Sequence, residues 1–266
     1  MRIYGRITIY GEYLMHGETP GLIMPSDLFL DTVSSGGIIS HYSKEKDDVL
    51  LLIIKMGITP DHTLYGNLPL GYGMAGSTTL SLLHLNGIED KELKQKFVNE
   101  IDNTIHGFTP SGLDFESCIH QEWGLFCNAS GWQSICPIPI AYSLFKFPKE
   151  NSLALSEVQK RVLSVKDKLE PFQNGLNSAI KERGALDLKM LMNYSSILLE
   201  AEVYSRISSQ FISTLLKRGI IAKGVGGLYD KVIMVVHSED DVNLGELIKL
   251  AAKFKGEMIS NVKKTL

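Results

Sequence analysis

Apolar positions alternate with small or polar ones from Ile3 to Tyr10, and Ile3, Ile7 and Ile9 predict a first strand, interrupted at Gly5. Leu28 to Ser40 and Val49 to Ile54 read as two more strands, with the charged run Lys44 to Asp48 as the turn between them. The period then changes. Ser77 to Asn86 and Asp90 to Ile105 follow helical spacing, the second with Leu93, Phe97, Val98 and Ile101 on one side and Lys91, Lys94 and Lys96 on the other. Gly107, Pro110 and Gly112 predict a loop of forced shape from His106 to Leu113. Trp123 to Phe147 suggests short strands, and Pro137, Pro139 and Pro148 break the chain there. Helices follow: Ser156 to Leu169 stopped by Pro171, Leu186 to Tyr204, and Ser208 to Arg218 stopped by Gly219. Lys231 to Val236 predicts a strand and Asp241 to Phe254 a last helix. Strands and helices mix without regular alternation, which favours an α+β fold over a doubly wound sheet. The expected domains are residues 1–148 and 149–266.

Apolar residues at 44% and charged residues at 21% are ordinary for a soluble globular chain. A net charge of −3 argues against a general attraction to nucleic acid. No apolar run approaches the roughly 18 residues that span a bilayer, and Met1 to Arg6 is too short and broken for a secretory segment. Neither nucleic acid nor membrane is an expected partner. Cys118, Cys127 and Cys136 form no Cys-x-x-Cys pair and read as free thiols in a reducing compartment, so the expected address is cytoplasmic.

The densest candidate for chemistry is Pro69 to Thr79, where Gly71, Gly73 and Gly76 precede Ser77 and Thr78 at the start of a predicted helix. Glycines let the backbone approach a bulky group, and the free amides of a helix start suit an anion. A plain glycine turn with a Ser/Thr helix cap remains the alternative. The Gly71-x-Gly73-x-x-Gly76 spacing also matches a dinucleotide fingerprint. That fingerprint requires a buried strand before it and an acidic residue about 20 positions on. Here a poor strand precedes it and a second helix follows. Asp114, after Pro110-Ser111-Gly112-Leu113, is a carboxylate set by a stiff loop; it can orient or deprotonate a hydroxyl, or simply cap the next helix. Gly5-Arg6 with Gly11-Glu12-Tyr13, and Lys223-Gly224-Val225-Gly226-Gly227, are weaker signals with ordinary turns as alternatives.

In this order the four segments resemble the GHMP kinase superfamily, in particular its mevalonate and phosphomevalonate kinase branch. Gly5-Arg6 and Gly11-Glu12-Tyr13 look like the first motif, Pro69 to Thr79 like the second, His106-Gly107 with Pro110 to Asp114 like the Pro-Ser-Gly-x-Asp segment, and Gly224 to Gly227 like the third. The resemblance implies a two-domain α+β fold with a nucleotide and substrate cleft between the domains. It implies an ATP-dependent kinase acting with Mg²⁺ on the alcohol of a small metabolite such as mevalonate, a polyol or a hydroxy acid. By the same resemblance Asp114 is the base and Arg6 stands for the catalytic lysine. Gly71, Gly73, Met74, Ala75, Gly76, Ser77, Thr78, Gly224, Gly226 and Gly227 hold the nucleotide. Ser77 and Asp102 bind the metal, and Glu12, Tyr13 and His16 face the acceptor.

Three departures from that pattern bear on activity. Arg6 replaces a lysine, Gly76 a serine, and Asp102 a glutamate one methylene longer. They motivate the alternative of a nucleotide-binding, catalytically reduced regulatory protein of the same fold. Pairing into a homodimer stays open.

Overall fold

The structure is a computed structural model and describes residues 1–12, 14–33, 44–59, 63–107, 109–148, 155–226, 231–237 and 243–263. Among the described residues helix accounts for 47% and strand for 24%, a mixed fold of the α+β kind expected. The chain divides into two compact units: residues 1–7 with 24–122, and residues 8–23 with 123–266. Strands β1 (Arg2–Tyr10) and β2 (Gly21–Val33) run through both.

In the first unit β3 (Thr63–Gly66) pairs antiparallel with β2, placing Leu30 opposite Gly66. Four helices complete it: α1 (Lys44–Lys55), α2 (Gly76–His84), α3 (Lys91–His106) and α4 (Leu113–His120). Every residue of α2 is buried, and it packs against α1, α3 and α4. A buried helix this rich in Ser and Thr needs internal partners; Ser81 Oγ donates to the Ser77 carbonyl at 2.8 Å.

In the second unit β4 (Gly124–Cys127) pairs antiparallel with the start of β2, and β5 (Gly131–Ser134) pairs with β4. A separate antiparallel sheet has the order β7-β8-β6-β9, made of β6 (Ala141–Lys146), β7 (Ile221–Gly224), β8 (Val232–His237) and β9 (Glu257–Val262). Helices α5 (Leu155–Ser164), α6 (Lys166–Arg183), α7 (Leu188–Glu200), α8 (Arg206–Leu216) and α9 (Leu244–Lys253) belong here. Phe145, Phe147 and Phe211 stack tilted in its core, with the half-buried Phe254 edge-on against Phe211.

Several elements differ from the expectations. Lys44 to Ile54, read as a turn and a strand, is helix α1: Val49 and Ile53, one turn apart, are fully buried, whereas Leu51 and Ile54 are exposed. Pro171 does not stop a helix. It lies inside α6 with its ring on the exposed face, while the break falls earlier, between Ser164 and Lys166. β2 begins at Gly21 rather than Leu28, and β1 continues through Gly5. Residues 34–40 of the expected second strand, and 241 and 242 of the last helix, lie outside the described residues.

Candidate active site

In the first unit, β1 lies directly against the glycine loop. A Cβ on Gly5 would stand 2.3 Å from Leu68 Cδ1 and 3.1 Å from the Met74 carbonyl, so any other residue would have to push the Leu68 side chain aside and crowd the loop. The next residue, Arg6, donates its backbone N–H to that carbonyl at 3.2 Å. The loop coils through three left-handed residues, Gly71 (φ 75°), Gly73 (φ 76°) and Ala75 (φ 60°). Left-handed backbone costs a non-glycine residue energy, and Ala75 bears that cost where it turns the chain into α2. Ala75 is the N-cap of α2 and makes no side-chain cap. By contrast α3, α7, α8 and α9 are capped by Asp90, Asp187, Ser205 and Asn243. The Ser/Thr-cap alternative for this loop therefore does not hold, and the first-turn amides of α2 are left for another acceptor.

Asp114 occupies the first turn of α4, whose N-cap is the left-handed Gly112 (φ 81°), so Asp114 does not cap the helix either. Its Oδ1 accepts from Arg6 Nε in an ion pair. Arg6 is buried, whereas the Asp114 carboxylate keeps 33% of its surface. The acid is thus the accessible member of the pair, held in direction by the guanidinium behind it.

Around the start of α2 a buried polar cluster forms. Thr78 Oγ1 donates to Asp102 Oδ2 at 2.6 Å, and Ser77 Oγ lies 3.2 Å from His106 Nε2. Asp102 and His106 sit four residues apart on α3 and so share a face. Asp102 Oδ1 is buried without a hydrogen-bond partner. Burial, with the nearby Asp114 charge adding to it, pushes the Asp102 carboxyl up to about 6, against hydrogen bonds from Thr78 and Ser77 and the Arg6 charge, which pull it down. A hydroxyl and an unpaired carboxylate oxygen beside an uncapped helix start fit Mg²⁺, which takes one or two protein oxygens and completes its shell with phosphates and water. Among the described residues no group of three or more His, Cys, Asp or Glu could hold a metal ion.

In the second unit, Glu12 is buried at the end of β1 and is ion-paired through Oε1 with Lys223 Nζ; Lys223 has no exposed surface. Gly224 and Gly226 follow, both buried. The Tyr194 hydroxyl accepts from Gly11 N–H at 2.9 Å, and the Gly224 backbone hydrogen-bonds the Tyr204 hydroxyl. Burial first, and the Glu12 charge second, raise both phenols well above their ordinary value. Tyr13, Gly227 and the His16 side chain lie outside the described residues. Reading the sequence missed Lys223 and the two tyrosines. The available signal was a lysine set among Ile220, Ile221 and Ala222, a charge inside an apolar strand.

No family model matches the chain, and no curated protein does. Solved structures do. The Methanococcus jannaschii mevalonate kinase superposes with a TM-score of 0.71 at 13% identity, covering 100% of this chain and 98% of that one. The L. major mevalonate kinase in complex with R-mevalonate gives 0.69 at 15%, covering 95% and 90%. The Streptococcus pneumoniae phosphomevalonate kinase gives 0.63 at 14%, covering 98% of each. The chain therefore has the fold of the GHMP kinases over its whole length. These three relatives by fold come from the mevalonate and phosphomevalonate kinase branch.

Proposed function

We propose that this protein is an ATP-dependent small-molecule kinase that moves the γ-phosphoryl group of ATP to an alcohol of a small metabolite. One observation carries the reading. A glycine loop with an uncapped helix behind it, and an arginine-held carboxylate that keeps a third of its surface, belong to one compact unit. The fold supports it. So does the S. pneumoniae phosphomevalonate kinase in complex with phosphomevalonate and AMPPNP, which covers 98% of this chain at 12% identity and a TM-score of 0.65.

In this reading the amides from Gly71 through Met74, Ala75 and Gly76 to Thr78 bind the triphosphate. Ser77 Oγ and Asp102 Oδ1 hold Mg²⁺. When bound, the ion supplies charge neutralisation at the phosphoryl oxygens. Asp114 accepts the proton of the acceptor hydroxyl on its exposed side, and Arg6 sets the direction of that carboxylate. Phosphoryl transfer asks the protein mainly for positioning and charge, and this cluster is built for both. Gly224, Gly226 and Gly227 are assigned to the nucleotide, and Glu12, Tyr13 and His16 to the acceptor, on the family resemblance. Mevalonate is the first acceptor to try, because two of the solved relatives by fold are mevalonate kinases and one was solved with R-mevalonate.

ADP release from Mg-ATP across a panel of alcohols tests the reaction. Asp114→Asn is expected to lower turnover by about 10²–10⁴-fold and to leave the ATP dissociation constant nearly unchanged. Loss of both together, or no acceptor-dependent ADP release from the wild type, overturns the assignment. ATP binding without turnover would favour the catalytically reduced regulatory protein. The guanidinium at position 6, committed to Asp114 through its Nε, is the observation behind that second reading.

A further inference from the structure

Lys223 Nζ donates to Glu12 Oε1, to the Thr8 carbonyl at 2.9 Å and to the Gly224 carbonyl at 2.5 Å. An ammonium has three N–H donors, and among the described residues these three oxygens accept from it. The partners come from both turns that the sequence marks for function. Glu12 and Thr8 flank the turn at Gly11, whose N–H is held by Tyr194. Gly224 opens the second turn, with its carbonyl on Lys223 and its backbone also hydrogen-bonded to Tyr204. One further bond ties the same segments, from Thr8 N–H to the Val225 carbonyl at 3.2 Å.

Stability alone does not account for this arrangement. Taking two ions out of water costs about as much as their attraction returns, and an apolar pair of similar volume would hold the fold as well. What an apolar pair lacks is direction. The ammonium fixes two carbonyls and a carboxylate at set angles, and slippage of either turn would break a bond to a desolvated charge.

We infer that Lys223 and Glu12 form a positioning pair that locks the Gly11–Glu12 turn and the turn opening at Gly224 into one register, so that the two move as a unit. The kinase reading enters only through the consequence: the second unit's acceptor-side and nucleotide-side residues are then held by the same ion pair. Glu12 acts in this arrangement as a strut rather than as a free base, since one oxygen is committed to Lys223 and the other is buried.

The test compares hydrogen exchange and Mg-ATP binding of the full chain with those of the charge-free double variant Glu12→Gln/Lys223→Met. The double variant is expected to melt near the wild-type temperature, yet to exchange the amides of residues 8–12 and 222–226 about tenfold faster at both segments. Its Mg-ATP dissociation constant is expected to rise about fivefold, through lost preorganisation. A pair that merely fills the core would leave local exchange untouched. Wild-type exchange rates, or acceleration at one segment alone, overturn the inference. Acceleration at both segments with no Mg-ATP binding by the wild type keeps the positioning pair and removes the kinase reading. If the double variant does not fold, Glu12→Gln, which preserves size and one acceptor oxygen, is measured instead; it should accelerate both segments to a smaller extent, and no change would overturn the pair.

Discussion

Asp102 holds a proton more tightly in the folded protein than in the unfolded chain, because burial disfavours its charge. Below the unfolded value of 3.8 both states are protonated and the group contributes nothing to the pH dependence. Between 3.8 and about 6 the folded state retains a proton that the unfolded state has released, so stability falls as pH rises. Above that window the loss is complete, on the order of 3 kcal/mol. Asp102→Asn removes the buried charge. It should be more stable than the wild type at neutral pH, by up to roughly that amount, and the two should converge near pH 4, as read by urea denaturation along a pH series. A constant gap across pH would show that Asp102 is not the titrating group. In the kinase reading, Mg²⁺ with ATP should raise the melting temperature of the wild type more than that of the variant, since the cost of the bare carboxylate is repaid only where a cation can meet it.

At the scale of elements, what the sequence showed and what it hid follow from one distinction. Elements with a polar punctuation mark were legible. The helix expected from Asp90 to Ile105 on its spacing lies within one residue of α3, and the structure adds the polar mark at its start: Asp90 caps it, accepting from Glu92 N–H at 2.9 Å and Leu93 N–H at 3.0 Å. The run Val49-Leu-Leu-Leu-Ile-Ile54 offers no such mark, since six apolar residues in a row satisfy a strand and a helix equally. Only burial separates the two. A helix buries one stripe, and α1 buries Val49 and Ile53 completely while Leu51 remains 56% exposed. Ile53→Ala should therefore cost about 2–4 kcal/mol, whereas Leu51→Ala should change stability by no more than about 0.5 kcal/mol. Equal effects in chemical denaturation would contradict the helical stripe. The candidate site divides the same way. Gly71, Gly73, Ser77 and Asp114 announced themselves by turn chemistry and order. Tyr194 and Tyr204 did not, because a buried phenol looks like a surface one until the burial is known, and Lys223 was marked only by its apolar neighbours Ile220, Ile221 and Ala222. The absent side-chain cap at Ala75 was also invisible, since two hydroxyl residues stand where a cap would be read.

For the whole molecule, chain order and compact units do not coincide. The chain passes between units at 7/8, 23/24 and 122/123, and no Pro/Gly/Ser-rich linker marks those places. The second unit takes residues 8–23 from near the amino end, and they are tied in by specific bonds. Leu22 pairs with Leu125 across β2 and β4. Tyr10 OH donates to Asn177 at 2.9 Å, and Gln173 and Asn177 on α6 both donate to the Pro20 carbonyl. A cut at 148/149 would sever these bonds to α6 and remove β8 and β9 from the two edges of β6. Tyr142, Leu144 and Phe145 of β6 have at most 1% exposed surface. Each such side chain, once uncovered, forfeits about 1.5–3 kcal/mol, and three of them already approach the net stability of a typical domain, about 5–15 kcal/mol. Fragment 149–266, prepared alone, should therefore lack a cooperative thermal transition by circular dichroism, while the intact chain shows one. A sharp melt from that fragment would mean that the bonds to residues 8–23 and the pairing of β6 are dispensable, and that the unit they close is smaller than the one described.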